Sequence, residues 1–153
     1  MEPINVKYLG YNITTDKDLM KVHDVYQWLS EESYWCKNVP YEIFKPSFDN
    51  SFCIGVLTDE SQIGFARLIT DYATFGYLAD VYVKEGHRGK GISKKMMEIL
   101  LNLDWVKGLR GIKLATKDAH GLYEQFGFTV CKNPDRIMEI SRPAVYAEIK
   151  NES

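Results

Sequence analysis

The chain has 153 residues and a formal net charge of −2; 45% of its residues are apolar and 26% are charged. This length suits one domain, and the composition is that of an ordinary globular protein. A slightly acidic chain lacks the basic footprint that general nucleic-acid binding requires. No apolar run approaches the ~18–20 residues of a membrane span, and the N-terminus lacks the basic and apolar regions of a signal peptide. We therefore expect neither a nucleic acid nor a membrane as a partner.

The three cysteines, Cys36, Cys53 and Cys131, are odd in number, far apart and not in a metal-ligand spacing. Unpaired thiols of this kind are typical of a reducing compartment. The sequence therefore favours a cytoplasmic protein and predicts no metal site.

The first fifty residues predict one strand, one helix and an irregular aromatic segment. The alternation of Ile4 and Val6 indicates a short strand that ends near Leu9. Residues 15–18, Thr-Asp-Lys-Asp, offer a helix N-cap and an acidic first turn. Residues 31–50 are aromatic and contain two prolines, with room for one short helix. Apolar residues at 3-4-3 spacing predict a core-facing helix before that segment: Leu19, Val22, Tyr26 and Leu29.

The rest of the chain predicts a mixed sheet. Three consecutive strands are expected over 51–58, 62–70 and 75–83, separated by two short turns. A glycine-bearing loop, an amphipathic helix from Ile92 to Leu103, a strand at 111–116 and a helix at 119–126 follow. Two last strands are expected at 128–131 and 136–141. The order predicts an α/β fold (an α+β mixed sheet) in one domain over residues 1–142, with a tail at 143–153.

The segment from Asp80 to Ser93 carries the strongest functional signal. A strand leads into a loop with glycines at positions 86, 89 and 91, and the loop opens directly into the helix at Ile92. Glycines let a ligand approach the backbone, and the first N–H groups of a helix point at an anion. Between positions 84 and 95, five basic residues stand against one acidic residue. The pattern predicts a polyphosphate ligand; a plain turn with solvated lysines is the alternative.

Two other phosphate-binding motifs do not match this loop. A P-loop requires Gly-Lys-Ser/Thr, whereas Gly91 is followed by Ile92 and Ser93. A dinucleotide-binding fingerprint requires a third glycine where Lys94 stands.

Arg88-x-x-Gly91-x-Ser93 resembles the signature Q/R-x-x-G-x-G/A of the GNAT superfamily of acetyltransferases, in the same strand-loop-helix context. The resemblance implies that N–H groups from Gly89 to Lys94 hold the pyrophosphate of acetyl-CoA and that the preceding strand end pairs with the pantetheine arm. Ser93 departs from the usual Gly or Ala but is small enough to fit. The implied cofactor-binding residues are Val81, Tyr82, Val83, Arg88, Gly89, Lys90, Gly91, Ile92, Ser93 and Lys94.

Residues 119–128 resemble a second GNAT motif, A-x-x-L-Y-x-x-x-G-F. The resemblance implies that Tyr123 is the general acid, because thioester aminolysis expels a thiolate and a phenol holds a proton at neutral pH. A core aromatic is the competing interpretation, since Tyr123 belongs to an apolar stripe. His120 is a minor candidate for assisting proton transfer, and a solvated histidine is the alternative. Thr116 stands where the superfamily often has an asparagine that contacts the pantetheine.

Asp80 is the best-placed carboxylate for accepting or orienting the acceptor amine. It lies in an apolar strand, where a lone acid needs a reason, and the resemblance implies that acids on this strand help to deprotonate the amine. Strict alternation puts Asp80 opposite Val81 and Val83, with Tyr77 on their face. The resemblance also implies a bulge that blurs this parity. A structural Asp80 is the alternative, and Arg67 is expected either to pair with Asp71 or Asp80 or to bind an acceptor carboxylate.

Aromatic residues crowd the segment after the first helix. In the resembled fold this segment walls the acceptor site, which would then suit a small amine; a satellite core under a loop is the alternative. Trp35 and Tyr77 are the substrate-binding candidates. The aromatic set is Tyr34, Trp35, Tyr41, Phe44 and Phe48.

The sequence therefore predicts a single GNAT-type N-acetyltransferase domain that transfers acetyl from acetyl-CoA to a primary amine of a small molecule. The resemblance implies direct transfer in a ternary complex, with a backbone N–H near Val81 stabilising the oxyanion. The alternatives are a coenzyme A sensor without turnover, a generic nucleotide-binding protein, and acetylation of a protein or peptide amine. A homodimer is compatible with the sequence.

Overall fold

Six strands form one sheet in the described residues, 1–146, of this computed structural model. Strands β1 to β5 are antiparallel neighbours in chain order, and β6 pairs parallel to β5. The predicted mixed sheet is confirmed. The strands are β1 (Asn5–Tyr8), β2 (Tyr11–Thr14), β3 (Phe52–Leu57), β4 (Gln62–Thr70), β5 (Phe75–Val83) and β6 (Gly111–Leu114).

Two apolar clusters lie on opposite faces of the sheet because side chains alternate along each strand. On β4, Phe65 contributes to one cluster and its neighbour Ala66 to the other. The first cluster includes residues of α3, α4 and α5, and the second includes residues of α1 and α2. The helices are α1 (Val22–Glu31), α2 (Tyr41–Asp49), α3 (Ile92–Leu101), α4 (Asp104–Lys107) and α5 (His120–Glu124).

The N-terminal region differs from the sequence prediction in two ways. A second strand, β2, pairs with β1 as a hairpin. The expected helix start forms a 3₁₀ turn instead, in which the Asp16 side chain accepts from the Asp18 N–H at 3.0 Å, and α1 begins only at Val22. The cap signal was correct, but it belongs to this short turn. The nine-residue helix α2 fills the aromatic segment where one short helix was expected.

The prediction of two strands at 128–131 and 136–141 was wrong, because no described residue after β6 lies in a strand. Residues 129–142 are exposed, and the Met138 side chain has 93% of its surface in solvent. An alternating pattern makes a strand only when a neighbouring strand takes its hydrogen bonds. Gly127, with a φ of 93°, does end the helical segment of α5 as expected. Of the predicted tail, Tyr146 packs against the second cluster and 147–153 lie outside the described residues.

The pairing of β5 with β6 positions the site. It runs from Phe75–Gly111 to Leu78–Leu114 and stops there, while β5 continues to Val83. The last five residues of β5, 79–83, therefore have no neighbour on the β6 side, and a gap opens between the two strands. Within residues 1–146, no helix is long and apolar enough to cross a membrane.

Candidate active site

A cavity of about 490 Å³ fills the gap where β5 and β6 separate. One wall comes from the end of β5, another from the loop after β6 and from α5, and a third from the segment after α1. The cavity therefore brings together residues that the sequence singled out separately for catalysis, for acceptor binding and for contact with the cofactor. They are Trp35, Tyr77, Asp80, Val81, Thr116 and Tyr123.

The glycine-bearing loop 86–91, which the sequence predicts to hold phosphate and which we call the phosphate loop, follows the end of β5. Gly86, Gly89 and Gly91 have φ values of 92°, 80° and 75°, in the left-handed region that favours glycine. The first helical bond of α3 runs from the Lys95 N–H to the Gly91 carbonyl, so the N–H groups of 92–94 have no partner within the helix. A second hollow of about 130 Å³ opens there. It is lined by the predicted Val83, Arg88, Gly89, Gly91, Ile92, Ser93 and Lys94, and also by His87.

Two basic side chains of the loop make contacts within the protein. Arg88 donates its Nε–H to the Val83 carbonyl at 2.7 Å. Lys90 does not line the hollow: its carbonyl accepts from the Tyr8 hydroxyl at 2.8 Å, and its ammonium lies 3.2 Å from the Tyr11 hydroxyl. These contacts stabilise the loop conformation. Arg88 and the exposed Lys94 also line the hollow.

At the end of β5, only alternate residues direct their backbone N–H and C=O groups at the gap. The Lys84 N–H donates to the Ile63 carbonyl, and Tyr82 pairs with Phe65, so the backbone of these positions is directed at β4. The Tyr82 side chain is buried on the other face, stacked on Trp28 with ring centroids 4.0 Å apart. Of the three predicted strand residues, Val81 and Val83 are therefore directed at the open side, and Tyr82 is not.

Asp80 occupies a β-bulge. The β4–β5 register shifts between the pairs Phe65–Tyr82 and Arg67–Ala79, which leaves one extra residue on β5. Asp80 has a φ of 55°, an uncommon conformation for a residue with a side chain. Strict alternation predicted Tyr77 on the face of Val81 and Val83, and this prediction was wrong. Tyr77 opposes Ile69 of β4, and the bulge puts it on the face of Asp80 instead.

The Asp80 carboxylate is almost fully enclosed and receives donors on both oxygens. The Trp35 indole N–H donates to Oδ1 at 2.7 Å, and the Arg67 Nε–H donates to Oδ2. Arg67 also donates to the Ser51 hydroxyl at 2.9 Å, so it pairs with Asp80 and not with Asp71. The residue also lines the cavity.

Tyr123 lies in the cavity wall to which α5 contributes, with 8% of its surface exposed. Burial raises the pKa of its phenol, which keeps the proton on the hydroxyl oxygen at neutral pH. Within residues 1–146 this hydroxyl has no hydrogen-bond partner, although it is next to the cavity. The arrangement suits a proton donor. His120 is exposed and lines neither hollow, and Thr116 accepts from the Ala119 N–H at 3.0 Å at the start of α5.

The aromatic segment divides between core and cavity. Phe44 and Phe48 are buried in the second cluster, as the core interpretation expected. Tyr34 and Trp35 line the cavity, as the acceptor interpretation expected, and the Lys117 ammonium lies 5.5 Å from the Tyr34 ring centroid.

Cys36, which the sequence marks only as an unpaired thiol, has its Sγ 3.8 Å from Oδ1 of Asp80. Burial, followed by the Asp80 charge, raises the pKa of its thiol to about 12, so the thiol is not a nucleophile at neutral pH. No sequence motif marks this contact. Among residues 1–146, no three His, Cys, Asp or Glu side chains are grouped as metal ligands would be.

Comparisons with a family profile, with protein sequences and with solved structures all match acetyltransferases. A family profile described as "Acetyltransferase (GNAT) family" matches residues 22–128. FG08082 of Gibberella zeae, an inferred acetyltransferase, is 30% identical over 142 residues, covering 80% of this chain and 80% of that protein. The crystal structure of an inferred GNAT acetyltransferase from Xanthomonas campestris pv. campestris has a TM-score of 0.86 and 40% identity, covering 90% of this chain and 96% of that one. Streptothricin acetyltransferase of Escherichia coli is 28% identical over 88 residues, 55% of this chain and 51% of that protein.

Proposed function

Because this chain belongs to the acetyltransferase (GNAT) family, we propose that it transfers acetyl from acetyl-CoA to a primary amine of a small molecule. The observation that carries the proposal is that Asp80 of β5 and Tyr123 of α5 line one cavity, which opens where β5 and β6 separate. Between them they offer a site for an ammonium group and a proton for a departing thiolate. Acetyl-CoA, when bound, supplies the activated acetyl thioester.

The phosphate loop fits the pyrophosphate of that donor. A Cβ placed on Gly89 would meet no heavy atom within 4 Å, so the backbone there is open to a ligand. The free N–H groups at the start of α3 and the basic side chains of Arg88 and Lys94 complement an anion. We assign the N–H groups from Gly89 to Lys94 to the pyrophosphate and the free backbone edge of Val81 and Val83 to the pantetheine arm.

Three groups of the chain then act on the acyl transfer. Asp80 binds the acceptor ammonium and helps to remove its proton, with Arg67 and Trp35 holding the carboxylate in place. The Val81 backbone N–H, next to the bulge, stabilises negative charge on the carbonyl oxygen. Tyr123 holds on Oη the proton that the leaving sulfur requires.

The aromatic walls of the cavity are our reason for proposing a small amine as the acceptor. Its walls are the rings of Tyr34, Trp35 and Tyr77, and an aromatic face attracts a cation. The Lys117 ammonium lies 5.5 Å from the Tyr34 ring centroid, a cation–aromatic contact of the kind that we propose for the amine acceptor. The three unpaired cysteines of the described residues are compatible with a reducing compartment, and we include the cytoplasm in the proposal.

The test is coenzyme A release by the purified protein over a panel of amines: amino acids, polyamines, aminoglycosides and peptide N-termini. Saturable turnover of a small amine supports the proposal. Turnover of peptide amines alone would replace the acceptor class, and coenzyme A binding without turnover of any amine would identify a sensor. Binding of ATP or NAD as tightly as coenzyme A would identify a generic nucleotide-binding protein. Light scattering on the same preparation tests for a homodimer.

A further inference from the structure

A chain of polar side chains joins the β1–β2 hairpin to the phosphate loop. The Tyr11 hydroxyl lies 2.7 Å from Nδ1 of His87 and 3.2 Å from the Lys90 ammonium. The Tyr11 and His87 rings meet edge to face with centroids 5.6 Å apart, and Tyr11 is only 7% exposed. Tyr11 and His87 are 76 positions apart in the sequence, so this contact depends on the tertiary fold.

The direction of these hydrogen bonds follows from which groups can only donate. An ammonium has no acceptor, so Lys90 must donate to the Tyr11 oxygen. A phenol oxygen could also accept from an Nδ1–H, but the buried Tyr11 hydrogen would then have no acceptor among residues 1–146, so we assign Nδ1 of His87 as its acceptor. A neutral imidazole that accepts at Nδ1 carries its proton on Nε2. The network therefore selects the tautomer of His87 in which Nε2 is a donor.

The N–H at Nε2 of His87 belongs to a side chain that lines the hollow at the phosphate loop. His87 lines the same hollow as Gly89, Gly91 and Lys94, and its Nε2 has no hydrogen-bond partner in residues 1–146. We infer that His87 donates through Nε2 to a phosphate oxygen of coenzyme A, and that Tyr11 is a positioning residue that sets its tautomer and orientation. The inference rests on the proposed binding of acetyl-CoA at this loop and adds a side-chain donor to the backbone N–H groups.

A purely structural role for His87 and Tyr11 is the competing explanation. The hairpin also contacts the loop through Tyr8, whose hydroxyl donates to the Lys90 carbonyl, so the loop backbone has a support that does not depend on His87. Removing the His87 donor should therefore weaken phosphate binding more than it disturbs the loop.

The first test measures binding and not turnover. Calorimetry gives the Kd of coenzyme A, dephospho-coenzyme A and pantetheine for wild type, His87→Ala and Tyr11→Phe, with the melting temperature of each variant taken without ligand. We expect His87→Ala to weaken both phosphate-bearing ligands by about 10-fold, the size of one hydrogen bond to a charged group, and Tyr11→Phe by less. The affinity for pantetheine should not change. Tyr26→Phe is the matched control, because the Tyr26 hydroxyl donates to the Val39 carbonyl, away from the loop.

The second test compares two amide replacements of His87. By bond count, an asparagine amide reaches the position of Nδ1 and keeps only the link to Tyr11, whereas a glutamine amide reaches that of Nε2 and keeps the donor to phosphate. We expect His87→Gln to retain more coenzyme A affinity than His87→Asn. The reverse order, equal losses for coenzyme A and pantetheine, or an unchanged Kd in folded His87→Ala would each overturn the inference. Wild-type binding without turnover would instead contradict only the proposed function.

Discussion

Arg67 and Asp80 form an ion pair across the β4–β5 hairpin, with the Arg67 Nε–H donating to Oδ2 of Asp80. The two side chains are 15% and 5% exposed, so the pair is screened little by solvent. It lies at the β-bulge, where Asp80 faces the cavity while Arg67 is not part of its lining. The carboxylate is thus held on Oδ2 by the Arg67 guanidinium and on Oδ1 by the Trp35 indole. This relationship makes the two interpretations of Asp80, catalytic and structural, separable by experiment.

Asp80→Asn should lower both stability and rate. The loss of stability should be about 3 kcal/mol, because Arg67 keeps a largely buried charge without its partner. If Asp80 also receives the ammonium proton, the rate should fall at neutral pH and partly recover at higher pH, where more free amine is deprotonated. Melting temperature and pH–rate profile are measured on the same preparation.

Asp24→Asn is the control for Asp80→Asn. Asp24 accepts from the Gln62 N–H at 2.9 Å and does not line the cavity, so its loss should reduce stability without altering the pH–rate profile. An Asp80→Asn enzyme that behaves in the same way would have lost only a structural carboxylate, and Asp80 would leave the catalytic set.

Tyr123→Phe should reduce kcat by roughly 10²-fold, the low end of a general-acid contribution. The Kd for acetyl-CoA should stay the same, because the ring and its packing are kept. Since burial raises the Tyr123 pKa, wild-type kcat should show no loss from its deprotonation up to about pH 10. Thiol release gives kcat and calorimetry gives Kd, with Tyr26→Phe as the control. Full activity of Tyr123→Phe would make Tyr123 a core residue only.

Gly91→Ala should abolish the rise in melting temperature that acetyl-CoA causes. A Cβ at this position would lie 2.9 Å from the Tyr8 hydroxyl oxygen, so Tyr8 must shift and its hydrogen bond to the Lys90 carbonyl of the loop is disturbed. Gly127→Ala is the matched control: its φ of 93° imposes the same left-handed strain of about 1–2 kcal/mol, but its Cβ would meet no heavy atom within 4 Å. Both variants should lose stability without ligand. An unchanged ligand shift in folded Gly91→Ala would contradict the assignment of the phosphate loop.

Asp71→Asn should destabilise the protein at pH 7 and less so in acid. The Thr74 hydroxyl, then the N–H groups of Thr74 and Ala73, donate to Asp71 and lower its pKa below the usual range. A carboxyl with a lowered folded-state pKa adds stability above its unfolded pKa of about 3.9, and this contribution is lost as the pH falls toward the folded pKa. Melting curves from pH 7 to 3 should therefore show the difference from wild type shrinking below about pH 4. Asp59→Asn, in the other exposed hairpin turn, is the control, and a difference independent of pH would exclude the carboxylate as the cause.

The phosphate loop and the Tyr123 helix could be predicted from the sequence because their geometry is local. Three glycines, a few basic residues and the start of α3 occupy neighbouring positions, so their spacing alone predicts N–H groups directed at an anion. The apolar repeats of β3, β4, β5 and α3 were informative for the same reason, since each repeat sets which side of its own element is buried. The C-terminal alternation was misleading because a strand also needs a neighbour, which residues 128–141 do not have.

Only the tertiary structure decided which side chains meet in the site. One extra residue at the bulge determines the faces of Tyr77 and Asp80, and residue types do not reveal that register. The contact of Trp35 with Asp80 spans 45 positions, and that of Tyr11 with His87 spans 76. Such pairs form because the packed sheet brings distant segments to one edge. Their physical origin is the energy of the whole core, which no local pattern in the sequence records.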